Sequence, residues 1–302
     1  MISEKRTLGN TNEKMSAIGL GCMTMSLVYS KEVDEEQSVK TLHRALDLGI
    51  NFLGYCKWVH RNPYRGTSLT LLLVAISDVY GMGHNEGLVS QVLKQRRNEV
   101  FLCTKFGLIF DIQKQQLGVC SKPETVRKAC QESLERLGTD YIDLYYLHRV
   151  DPSVPIEETV GTMAQLVKEG KVRYLGLSEC SPDTLRRAHK VHSIDALRGQ
   201  LLSRKMACWT HSPSDLDPND RRFTQPWFQG ENFQNNLKLA EKLQEMANKK
   251  NCTPARLCIA WALAQDNLII PIPGTRRIAR LEENSGAVNV KLNRPELNEI
   301  ST

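Results

Sequence analysis

The feature that most narrows what this chain can fold into is an alternation. Short, nearly continuous apolar runs are separated by amphipathic stretches of helical period. A strand that is apolar on both faces is covered on both faces, and helices interposed between such strands make the sheet parallel. The first unit is an apolar run at 17–21 that ends in Gly19-Leu20-Gly21, followed by a helical stretch at 34–48. Asp34 is its expected N-cap and Gln37 closes a capping box. Val39, Leu42, Ala45 and Leu46 form one face, and Gly49 is the stop.

The same pattern continues along the chain. Residues 50–53 open a second strand, 85–96 form a helix with Leu88, Val89, Val92 and Leu93 on one face, and 99–104 read as a buried strand. Ser121 is expected to cap a helix that buries Val126, Ala129, Cys130, Ser133, Leu134 and Leu137 and ends at Gly138. Strand, helix and strand follow at 141–147, 156–168 and 171–177, and Ser181 before Pro182 caps a further helix. Later helices are expected at 232–249, 253–264, 277–286 and 295–300, with the last strand at 268–273. No long linker divides the 302 residues. The expectation is one α/β domain over 1–302, a (β/α)8 TIM barrel.

Two regions interrupt the rhythm. Residues 54–77 read as neither a loop nor the next helix, and 195–219 hold one poorly patterned segment where strand, helix and strand are due. The barrel is therefore expected to be incomplete around its sixth and seventh strands.

Charge and composition exclude several functions. The net charge of +6 is scattered into short clusters, without the dense basic, aromatic-interleaved stripe of a nucleic-acid binder. The most apolar run, 69–76, is far shorter than the ~20 residues that cross a bilayer. No apolar signal core follows the charged N-terminus, so a cytoplasmic location is expected. The nine cysteines are odd in number and form no CxxC pair. They read as small core residues rather than a disulfide framework or a zinc site.

In a barrel of this kind, functional side chains stand at the C-terminal ends of strands. The strand at 99–104 runs into Lys105, the strand at 141–147 into His148, and the region after the second strand carries Tyr80. Taken singly, each has an ordinary structural explanation. Together they suit proton transfer to a carbonyl oxygen. A free phenol has a pKa near 10, and an ammonium within ~4–6 Å lowers it by ~1–3 units. A neutral imidazole can orient the same oxygen. No side chain supplies a hydride, so a nicotinamide cofactor is implied. Near the C-terminus, Ile272-Pro273-Gly274-Thr275 opens into a helix beside Arg276, Arg277 and Arg280. A helix N-terminus after a glycine turn binds anions, here the phosphates of a dinucleotide.

These stretches, with Asp78-Val79-Tyr80-Gly81, Thr104-Lys105-Phe106-Gly107, Asp143-Leu144-Tyr145-Tyr146-Leu147-His148, Gly176-Leu177-Ser178-Glu179 and Leu281-Glu282-Glu283-Asn284, resemble the aldo-keto reductase family over most of the chain. The branch is the fungal, bacterial and plant one that includes pyridoxal reductase-like enzymes. The resemblance implies NADPH-dependent reduction of a small-molecule aldehyde or ketone. It casts Tyr80 as proton donor, Lys105 as its pKa-lowering partner and His148 as the substrate-orienting histidine. It places Ser178 and Glu179 at the nicotinamide and Gly274, Thr275, Arg276 and Arg280 at the 2′-phosphate and adenosine. It sets Glu283 and Asn284 at the adenine, and leaves Gln200 as a remnant of the nicotinamide wall. Two departures stand out. The family's catalytic aspartate is absent, with Ala75 five positions before Tyr80, and a block is missing near 198–213. Together with the insertion near 54–77, these departures imply an alternative: a catalytically silent or damaged relative that retains cofactor or partner binding.

Overall fold

The computed structural model describes residues 2, 4–9, 11–26, 34–54, 77–78, 83–111, 116–198, 226 and 229–301. The chain opens with an antiparallel hairpin, β1 (Lys5–Thr7) and β2 (Lys14–Ser16), which the periodicity did not announce. The parallel strands follow as β3 (Leu20–Gly21), β4 (Phe52–Gly54) and β5 (Phe101–Phe106). A second short hairpin, β6 (Leu108–Asp111) with β7 (Gln116–Val119), interrupts them. They resume as β8 (Ile142–Leu147), β9 (Val172–Ser178) and β10 (Ala196–Arg198). The six lie side by side in sequence order, β3-β4-β5-β8-β9-β10, every pairing parallel.

The expected last strand forms no continuous ladder among the described residues. Residues 271–274 nevertheless return to the first strand. Gly19 N–H donates to Pro271 O and Gly21 N–H to Pro273 O, each at 3.0 Å, and Gly21 bridges Gly274 in parallel. The two prolines donate no N–H, which removes alternate rungs from any ladder here. First and last segments meeting in this way is the arrangement that closes a (β/α)8 barrel.

Helices α1 (Glu35–Asp47), α2 (His84–Arg96), α3 (Pro123–Leu137), α4 (Ile156–Lys168) and α5 (Pro182–Val191) fall between these strands. Then come α6 (Gly230–Lys249), α7 (Pro254–Leu263), α8 (Ile278–Ser285) and α9 (Arg294–Ser301). Local chemistry sets their starts. The Asp34 side chain accepts from Gln37 N–H at 2.8 Å, and Ser181 Oγ accepts from Thr184 N–H at 3.1 Å, both as expected. Ser121 does not cap α3: the helix begins at Pro123 after Lys122, and the Ser121 hydroxyl instead meets Thr159 Oγ1 of α4 at 2.9 Å. A tertiary partner has outbid a local one, which propensity alone cannot show.

Two layers of core result. Leu42, Ala45 and Leu46 of α1 and Leu88, Val89 and Val92 of α2 pack on the outer face of the sheet through Leu20 and Leu102. The inner layer gathers Phe52, Phe101, Cys103, Leu144, Tyr146, Ala196, Ile270 and Ile272, floored by Leu8 and Met15 of the N-terminal hairpin. Gly176 belongs to this layer because a Cβ there would lie 2.5 Å from the Tyr146 ring. Four described cysteines, Cys22, Cys103, Cys130 and Cys258, are buried, as small core residues should be. Burial pushes the Cys22 thiol up to about 12, so it is inert. No described helix is long and apolar enough to cross a membrane.

Candidate active site

Side chains on a strand alternate between faces with period two. Phe101 and Cys103 of β5 point inward, and the next residue on that face is Lys105. Leu144 and Tyr146 of β8 point inward, and His148 continues the row just past the strand. On β9 the row is Tyr174, Gly176 and Ser178, and on β10 it is Ala196 and Arg198. Each strand therefore ends its inner row in a polar residue, and all four ends lie at the C-terminal mouth. Lys105, His148, Ser178 and Arg198 are all buried.

Neighbouring groups set the electrostatics. Burial, then the Arg198 charge, hold the Lys105 ammonium well below its ordinary value, and Asp78 partly offsets this. Burial, then Lys105, Arg198 and Arg149, hold the His148 imidazole well below its usual range, so it is neutral at physiological pH. Ser77 and Asp78 are tied to this pair. Asp78 N–H donates to Lys105 O at 3.3 Å, and Ser77 Oγ lies 3.2 Å from His148 Nδ1 and 2.9 Å from Asp78 Oδ1. The backbone two residues before Tyr80 is thus anchored to the Lys105 and His148 strand ends. On the other side, Asn85 Nδ2 donates to Cys22 O at 2.9 Å. The buried Glu86 carboxylate accepts from Thr104 Oγ1 at 2.7 Å and Arg136 Nε at 2.6 Å. Tyr80 itself lies outside the described residues, as does Gln200.

Arg198 is the residue that the sequence reading missed. It stands at the end of the sixth parallel strand, in register with Ser178, and its Nη1 donates to Ser178 Oγ at 2.8 Å. Nη1 is also 3.6 Å from Glu179 Oε1, and Glu179 pairs through Oε2 with Arg149. Glu179 holds a left-handed backbone, φ 51°. The signal was available: Arg198 shares the inward face with Ala196, two residues earlier on the strand.

The turn at 274–277 lies beside the first strand. Thr275 Oγ1 accepts from Arg277 N–H at 3.0 Å, and Thr41 of α1 donates its hydroxyl to Arg276 O at 3.0 Å. These bonds fix the turn that enters α8. Arg280 reaches Glu283 at 2.6 Å, and Asn284 is buried. Among the described residues no cluster of His, Cys, Asp and Glu could hold a metal ion.

Comparison with known proteins bears on the family and the fold. A sequence profile of the Aldo/keto reductase family matches residues 17–203 and 209–302. The chain is 36% identical to a probable aldo-keto reductase of Glycine max, covering 97% of this chain and 86% of that one. That alignment spans 326 positions, more than the 302 residues here, so positions of the relative are missing from this chain. A Schizosaccharomyces pombe aldo-keto reductase whose name carries NADP(+) is 36% identical over 96% of this chain and 88% of its own. A glycerol dehydrogenase from Gluconobacter oxydans superposes with a TM-score of 0.82 at 22% identity, covering 100% of this chain and 95% of that one. The last likeness concerns the fold, a (β/α)8 barrel. The profile and the two relatives show that this chain belongs to the aldo/keto reductase family.

Proposed function

We propose that the chain reduces an aldehyde or ketone to an alcohol with NADPH. The observation that carries this reading is the convergence of Lys105 and His148, buried on neighbouring parallel strand ends and bonded to the two residues that lead into Tyr80. The chain's residues fit the cofactor. Arg276 and Arg280 beside the N-terminus of α8 suit the 2′-phosphate and adenosine, with Gly274 and Thr275 forming the turn. Glu283 and Asn284 suit the adenine, and Ser178 with Glu179 suits the carboxamide end. When bound, NADPH supplies the hydride. Tyr80 gives its phenolic proton to the carbonyl oxygen as negative charge develops there. Neutral His148 holds that oxygen, and Lys105 is the tyrosine's electrostatic support.

One observation favours the silent-relative reading. Lys105 acidifies a phenol only as an ammonium, and burial beside Arg198 presses it toward the neutral amine. The catalytic aspartate of the family is absent as well. NADPH oxidation against a panel of aldehydes, run beside quenching of NADPH fluorescence, decides between the two. Turnover that falls ~10²–10⁴-fold in Tyr80→Phe supports the reductase. Quenching without turnover supports the silent relative, and neither signal sinks both.

A further inference from the structure

The two redox forms of the cofactor carry the same phosphates and differ by one charge, which sits on the nicotinamide ring. The ratio of their affinities therefore reports the environment of the ring, its charge above all. Ser178 Oγ accepts from a guanidinium 2.8 Å away. Because Arg198 can only donate, the hydroxyl's own proton is left for another acceptor. Behind this bond stands a linked set, Arg149–Glu179–Arg198, in which two guanidiniums flank one carboxylate. Lys105 and His148 face the same space, and both feel Arg198. Arg198 is buried, so water and salt screen its field weakly.

We propose that Arg198 is a cofactor-state selector: its buried positive charge, seated on Ser178, favours the uncharged dihydronicotinamide ring over the cationic oxidised ring and biases the site toward NADPH. This rests on the reading of Ser178 as the nicotinamide contact. The chemical sense is direct. A cation brought beside the guanidinium is repelled, whereas the neutral ring is not, and the Ser178 proton is held ready for the carboxamide oxygen in either form. Release of the oxidised cofactor after reduction is favoured for the same reason.

The experiment is a pair of equilibrium titrations, NADPH and NADP+, by quenching of intrinsic fluorescence, on the full chain and four variants. The wild type should bind NADPH about tenfold or more tightly than NADP+, a tenfold ratio being about 1.4 kcal/mol. Arg198→Gln should narrow the ratio about tenfold, and Arg198→Lys, which keeps the charge, should preserve it. Glu179→Gln removes the shared carboxylate and should widen the ratio. Arg149→Gln, at a half-exposed position, should narrow it less than Arg198→Gln and stands in if that variant does not fold. An unchanged ratio in Arg198→Gln, or in Arg149→Gln where it is the surrogate, overturns the proposal. So does an equal loss in Arg198→Lys and Arg198→Gln, which would mark a packing role. Failure of the wild type to bind either form overturns the underlying reading of the site instead.

Discussion

Asp143 offers the sharpest test of how the barrel is held together below its mouth. It sits at the N-terminal end of β8, buried, and its carboxylate accepts from Leu102 N–H at 2.8 Å, Arg97 Nη2 at 2.9 Å and Arg173 Nη1 at 2.8 Å. These bonds join β5, β8 and β9 with the turn after α2. In Asp143→Ala the buried Leu102 N–H loses its acceptor, a cost of about 1–3 kcal/mol. Arg97 keeps Val100 O, Tyr141 O and Thr139 Oγ1 but loses its counter-charge, about 1.5–3 kcal/mol more. Arg173 is half exposed and still pairs with Glu13, so its loss adds little. The expected total is about 3–5 kcal/mol, a fall in Tm of roughly 10 °C at ~2–4 °C per kcal/mol. Arg173→Gln should cost under about 1 kcal/mol. The site should be untouched, because five residues of strand at ~3.3 Å each separate Asp143 from His148. The assays are urea unfolding, thermal melting and NADPH titration. A loss below about 1 kcal/mol in Asp143→Ala, or a fall in NADPH affinity in step with stability, would show that these bonds do not hold the strands together as described.

Three further outcomes are expected. Gly176→Ala places a Cβ 2.5 Å from the Tyr146 ring, and the overpacking should lower the urea midpoint by an amount equal to about 1–3 kcal/mol. Asp34→Ala removes the acceptor for Gln37 N–H and should cost about 1 kcal/mol, seen as faster amide exchange in the first turn of α1. His148 is held neutral in the folded state, with its pKa depressed below the unfolded value. The folded state therefore binds fewer protons as pH falls through about 6.5, so stability is full above that pH and declines below it. His148→Gln should flatten that decline between about pH 6.5 and 5, and an unchanged slope of unfolding free energy with pH would count against the burial argument.

Much of the fold was legible from local rules. The Asp34 and Ser181 caps, the α4 span and the order of the parallel strands follow from side-chain spacing and from hydrogen bonds made within a few residues. The two short hairpins did not announce themselves, because three- and four-residue strands carry too little period-two pattern. The Ser121 cap failed because Thr159, far along the chain, competes for its hydroxyl. The interrupted regions, most of 54–77 and 198–213, fall largely outside the described residues, with Gly54, Ser77 and Arg198 at their edges.

The candidate site divides in the same way. The amino-acid order alone placed Lys105 and His148 at strand ends and the Arg276–Arg280 cluster at a helix start, because a strand end and a helix start are local events. Only the tertiary structure decided that Ser178 and Arg198 stand in register across two strands, and that Glu179 joins Arg198 to Arg149. Register depends on the relative shift of segments twenty or more residues apart, and no local pattern encodes it. The same assembly decided the charge state. Burial and a neighbour from another strand, not residue type, make His148 neutral and press Lys105 toward its amine form.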